Sequence, residues 1–107
     1  MKNRPLFAIL ILMTFAALPL IADAGSDGAA VYKSKCAMCH GPDGAGQTPT
    51  GKTMKVRDLR SAEVQKMTDK ELATVITDGK GKMPGYKGKI SQTDIDALVS
   101  FVRTLKK

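Results

Sequence analysis

The hydrophobic positions of this chain fall into one continuous block and two helical stripes. Leu6 to Ala22 is apolar apart from Thr14 and is broken by Pro19. Far downstream, Ile95, Leu98, Val99, Val102 and Leu105 recur at the spacing of a single helix face. Ser91 and Asp94 precede them with capping-box spacing, which makes this the most strongly patterned helix of the chain. A second stripe, Leu72, Val75 and Ile76, follows a second capping box at Thr68 and Glu71, and Gly79 is placed to end it in the left-handed conformation. Ser26 or Asp27 offers an N-cap for helix-compatible residues running up to Cys36, and a short helix is expected near Ser61 to Lys66. Between these lie two stretches of turn chemistry. Gly41 to Thr53 holds four glycines and two prolines in thirteen positions and predicts a loop throughout, and Gly79 to Lys89 predicts another. No strand-like alternation occurs, so the pattern predicts an all-α domain of a few short helices.

The apolar block changes the domain boundaries. Lys2 and Arg4 stand before it and Ala22-Asp23-Ala24 after it, the pattern of a secretory signal cleaved after Ala24. Residues 1–24 are therefore read as a leader and residues 25–107 as one domain in the periplasm, without stable membrane insertion once the leader is removed. If the block is retained, it is an anchor at the lower edge of the roughly 17 to 25 residues that cross a bilayer. An 83-residue domain lies near the size at which an apolar core alone is marginal. The core must also be small, because the chain has no Trp and the aromatics beyond Gly25 are Tyr32, Tyr86 and Phe101. Something other than side chains is expected to fill its middle.

Without the leader, fifteen basic and nine acidic side chains leave a formal charge of +6. A basic exported domain can meet nucleic acid, anionic lipid or an acidic protein. Nucleic acid is excluded by the pattern, because the lysines are dispersed among acids with no interleaved aromatic platforms.

The chemistry is concentrated in Cys36-Ala37-Met38-Cys39-His40, which holds both cysteines and the only histidine. A disulfide inside C-x-x-C closes too small a loop to staple a fold, and a catalytic redox pair needs a βαβ context that this sequence lacks. A structural zinc site needs four ligands, and three are present. Covalent haem satisfies all of the residues: C-x-x-C-H is its attachment signature. On a helical turn Cys36 and Cys39 share a face and reach two vinyl groups of one porphyrin. His40 falls on that face and reaches the iron, while Ala37 and Met38 point away.

The sixth ligand decides the function. With no second histidine, the thioethers of Met54, Met67 and Met83 are the candidates. Met67 suits core filling, whereas Met83 stands in a polar loop before Pro84-Gly85 with no apolar partners at helical spacing. Glycines at 79, 81 and 85 would let backbone pass close to a flat ring. Met83 is the preferred ligand and Met54 the runner-up. A His/Met pair closes both axial positions and implies one-electron transfer without enzymatic chemistry; an open or labile sixth site would instead imply a haem sensor, gas binder or peroxidase-like protein.

CAMCHGPDGAG and GKGKMPGY, at the two ends of this constellation, resemble the small bacterial monohaem class I cytochromes c of the c6, c5 and c551 kinds. The resemblance extends over essentially all of residues 25–107. It implies a cytochrome c fold of three to four short helices wrapped around one haem c, with the first and last helices crossing. It further implies thioethers to Cys36 and Cys39, His40 and Met83 as iron ligands, and Pro84 beside the distal ligand. A proline carbonyl that accepts the second imidazole N–H is mapped onto Pro49. The helix crossing is mapped onto Gly28, Tyr32, Leu98 and Phe101. The chain departs from the family in having no Trp to hold a haem propionate, with Arg57 as the candidate Arg. The implied activity is a monomeric periplasmic electron carrier. Lys80, Lys82, Lys87 and Lys89 around the Met83 loop are expected to steer it to acidic docking surfaces on a reductase or oxidase.

Overall fold

The computed structural model describes residues 27–107 together with Thr14; the leader lies, but for Thr14, outside the described residues. Six helical segments follow in order: α1 Gly28–Lys35, α2 Ala37–His40, α3 Pro49–Met54, α4 Ala62–Gln65, α5 Asp69–Asp78 and α6 Gln92–Thr104. Three of them are eight residues or longer, and no strand is present among the described residues. Each long helix starts where a side chain satisfies its free N–H groups. Asp27 accepts from Ala29 and Ala30, and both expected capping boxes, Thr68 with Glu71 and Ser91 with Asp94, are formed.

The apolar stripes meet in one core. Tyr32, Val64, Leu72, Ile76, Ile95, Leu98, Val99 and Val102 are buried together, and Leu98 at 1% exposure sits deepest. Burying one such side chain is worth about 1.5–3 kcal/mol. The first and last long helices cross at Gly28, where a Cβ would overlap the Ala97 carbonyl and come within 3.2 Å of Phe101 Cβ. The Tyr32 and Phe101 rings meet beside that crossing, 4.7 Å apart and tilted by 42°. Gln65 on α4 donates to the Leu59 and Val102 carbonyls, and Arg103 on α6 donates to the Gln65 and Met67 carbonyls and pairs with Asp69. These bonds tie the short α4 to the terminal helix.

Two local expectations are corrected. Gly41–Thr53 is not loop throughout, because Thr48 caps and Pro49 opens a short helix there; the Thr48 hydroxyl accepts from Gly51 N–H. Gly79 has positive φ but extended ψ (79°, 173°), so α5 ends without a left-handed turn. Its lack of a side chain is demanded by the loop crossing itself: a Cβ would lie 2.6 Å from the Met83 carbonyl oxygen and 2.7 Å from Gly85 N. As expected, Ala37 and Met38 lie away from the Cys36, Cys39 and His40 cavity: Ala37 packs against the core and Met38 is 78% exposed.

Candidate functional site

The C-x-x-C-H segment is a single helical turn set after a break at Cys36. Hydrogen bonding continues through the break, from Cys36 N–H to Tyr32 and from His40 N–H to Cys36. The carbonyls at the end of this turn are then satisfied by other parts of the chain, as a buried helix end requires. The Thr48 hydroxyl lies 2.8 Å from the Met38 carbonyl and 2.9 Å from that of Cys39, Gly46 N–H donates to His40, and the Tyr32 hydroxyl donates to Gly41 at 2.6 Å. Gly51 completes the fit, because a Cβ there would strike the Cys39 carbonyl. The motif is therefore held by α1, by the Gly-rich loop and by α3.

Cys36, Cys39 and His40 line one largely apolar cavity of about 500 Å³, within the range of small-molecule and cofactor sites. Met83 and Pro84 enter the same cavity from the α5–α6 loop, 43 residues beyond His40. Met54 and Met67 line it as well, so the fold brings all three candidate thioethers together. Met67 and Met83 also pack against the core. The wall between α3 and α4 is turned inward at Lys55, which takes the left-handed conformation (φ 53°, ψ 48°) and is followed by Val56, Arg57 and Leu59 on the cavity. The cations Lys35, Lys55, Arg57, Lys80 and Lys82 line it, with no carboxylate among the lining residues.

The electrostatics argue against the two smaller readings of the motif. Cys36 and Cys39 are not joined in a disulfide, and burial first, with Cys39 second, pushes the Cys36 thiol up to about 11. A catalytic redox cysteine requires the opposite shift. Among the described residues no group of three or more His, Cys, Asp or Glu side chains is placed to hold a metal ion, which leaves the zinc reading without a site.

His40 Nδ1 is buried and makes no hydrogen bond of ordinary length and angle. Burial lowers the His40 pKa, and the backbone carbonyl of Arg57 beside the ring opposes that shift. The carbonyl that acts on the imidazole is thus that of Arg57, not Pro49. Pro49 is exposed at the first turn of α3, does not line the cavity, and its carbonyl accepts from Thr53 Oγ1 at 3.0 Å. Sequence reasoning looked for a proline and missed Arg57, because any residue type supplies a carbonyl; the inward turn at Lys55 is what carries it there. The Arg57 guanidinium meets Glu63 at 3.6 Å on the surface.

These residues fit a haem. The two thiols and the imidazole share one turn, a thioether enters the same cavity from a distant loop, and the apolar lining with cations suits a flat apolar ring bearing carboxylates.

Comparison with known proteins agrees. Residues 23–102 match the family described as cytochrome c oxidase, cbb3-type, subunit III. A cytochrome c6 of Microcystis aeruginosa is 34% identical over 76 residues, 71% of this chain and 90% of that protein. A cytochrome c6 of Leptolyngbya boryana is 36% identical over 81 residues, 76% of this chain and 91% of that protein. Among solved structures, the KustC0563 c-type cytochrome shares the fold with a TM-score of 0.71 at 34% identity, covering 77% of this chain and 100% of that one. Taken with the C-x-x-C-H turn on a cavity of this size, these matches establish that the chain belongs to the small monohaem class I cytochromes c, haem-based electron carriers rather than enzymes.

Proposed function

We propose that this chain is an exported, monomeric periplasmic electron carrier whose single haem c is attached through Cys36 and Cys39 and ligated by His40 and Met83. The observation that carries the reading is the convergence of His40 and Met83, from segments 43 residues apart, on one apolar cavity that also holds both thiols. The haem supplies a one-electron Fe(III)/Fe(II) couple. The chain's own residues bind and tune it. Cys36 and Cys39 would fix the ring, the Arg57 carbonyl would help orient the His40 imidazole, and the thioether of Met83 would serve as the second iron ligand and favour the reduced state. Pro84 and the core residues Leu72, Leu98 and Val102 keep water from the ring.

Export is inferred from Lys2, Arg4, the apolar block and Ala22-Asp23-Ala24. No helix among the described residues is long and apolar enough to cross a membrane. Lys80 and Lys82 at the cavity, with the exposed Lys87 and Lys89 beyond them, suit docking against acidic surfaces of redox proteins. Salt is then expected to slow electron transfer with the physiological partner.

The test is the mass and visible spectrum of the protein produced with cytochrome c maturation machinery. One haem of added mass and a sharp reduced α-band support the reading; free thiols and no visible absorbance overturn it. Met83→Ala should abolish the weak far-red band of a thioether on ferric haem, and Met54→Ala should retain it. The reverse pattern transfers the ligand to Met54.

A further inference from the structure

The Met83 loop is built to hold its own shape. Lys80 and Met83 exchange two backbone hydrogen bonds, at 3.1 and 3.0 Å, and Gly79 and Gly85 pass backbone against backbone where a Cβ would collide. The loop is fastened to α5 by Tyr86 N–H on the Ile76 carbonyl at 2.9 Å and Lys87 N–H on that of Thr77 at 3.0 Å. None of these bonds reaches the wall that carries the thiols and the imidazole.

Tyr86 does reach it. Its hydroxyl donates to the Lys35 carbonyl at 3.0 Å, across 51 residues, and Lys35 immediately precedes Cys36. That carbonyl is free to accept because of the break between α1 and α2: Cys39 N–H turns to the Cys36 carbonyl, at 3.2 Å, and leaves Lys35 to Tyr86. The tyrosine ring lines the same cavity as Cys36, Cys39, His40 and Met83. A single side chain therefore links the backbone of the loop bearing Met83 to the backbone next to the motif bearing His40.

We propose that Tyr86 is a positioning residue, a strap from the Met83 loop to the Lys35 carbonyl that holds the Met83 thioether within reach of the iron. The proposal rests on Met83 being the sixth ligand. Its physical content is that opening the loop breaks the Tyr86 bond, so the bond biases the ligand equilibrium toward the closed, Met-bound state.

The test uses the haem-loaded protein and imidazole as an external ligand, which binds ferric iron only when the loop opens. Tyr86→Phe keeps the ring and removes the hydroxyl; it should bind imidazole roughly three- to tenfold more tightly than wild type, the net weight of one hydrogen bond, with unchanged haem content. Ser91→Ala, which removes the N-cap of α6 away from the cavity, serves as the control for a general loss of stability and should bind imidazole as wild type does. Equal affinities in Tyr86→Phe and wild type, or equal gains in Tyr86→Phe and Ser91→Ala, overturn the strap. A Met83→Ala protein that keeps the far-red band and gains no imidazole affinity overturns the ligand assignment itself, and the strap with it.

Discussion

Gly28 on α1 lies against the Ala97 carbonyl on α6 with no room for a Cβ between them. The two helices cross there at backbone distance, and the crossing sets Tyr32 over Phe101 and puts the Tyr32 hydroxyl on Gly41, next to His40. The helix pair and the C-x-x-C-H turn are thereby one mechanical unit.

Gly28→Ala should push the helices apart. Overpacking of this kind costs about 1–3 kcal/mol. Denaturant unfolding of the haem-loaded variant should give a lower midpoint, together with a loss of yield during maturation; a midpoint equal to wild type would show that the helices separate without cost.

Tyr32→Phe should leave the Gly41 carbonyl buried without its donor, at a cost of about 1–3 kcal/mol. Burial, ahead of nearby anionic groups, raises the Tyr32 pKa well above its usual 10.0. The neutral phenol is therefore favoured in the folded state. Its stabilisation is complete below pH 10 and is lost as pH rises beyond it. Wild type should lose stability between pH 10 and 12 more steeply than Tyr32→Phe, and parallel curves would contradict the burial of the hydroxyl.

Asp58 behaves oppositely. Hydrogen bonds from Arg60, from both its side chain and its backbone, hold the carboxyl at about 2 against an ordinary 3.8. The charged form is favoured in the folded state, so this contribution is present above pH 3.8 and disappears as pH falls toward 2. Thermal melts across that interval should show a smaller acid loss in Asp58→Asn than in wild type, an effect kept small by the exposure of the pair.

Pro49→Ala should leave the reduction potential unchanged, because Pro49 is exposed and it is the Arg57 carbonyl that acts on the imidazole. About 0.4–1 kcal/mol of stability is at stake at such a site, from the lost rigidity of the unfolded chain. Protein-film voltammetry checks this. A marked shift would instead put the Pro49 carbonyl against the His40 imidazole.

Much of the fold was legible because it is local. A capping box is read over three residues, and an amphipathic face over three or four, so Thr68–Glu71, Ser91–Asp94 and the buried stripe Ile95, Leu98, Val99 and Val102 all follow from spacing. The Thr48-Pro49 helix start was present in the sequence too, but four glycines around it hid an N-cap followed by proline at the first position.

The site divides along the same line. Cys36, Cys39 and His40 are brought together by one turn of helix, and their chemistry is therefore written in five consecutive residues. Met83 was distinguished by its polar surroundings and the Pro84 after it, but its convergence with His40 on one cavity is a tertiary fact.

The sequence by itself determined the long helices, the C-x-x-C-H turn and the candidate thioethers, since each depends on residues within four positions of one another. Tertiary structure alone decided that the Arg57 carbonyl rather than Pro49 faces the imidazole, that Gly79 and Gly85 serve the loop's own crossing, and that Tyr86 reaches Lys35 over 51 residues. Those relations use backbone groups that every residue carries. Which carbonyl meets which donor follows only from the path the chain takes around the cavity.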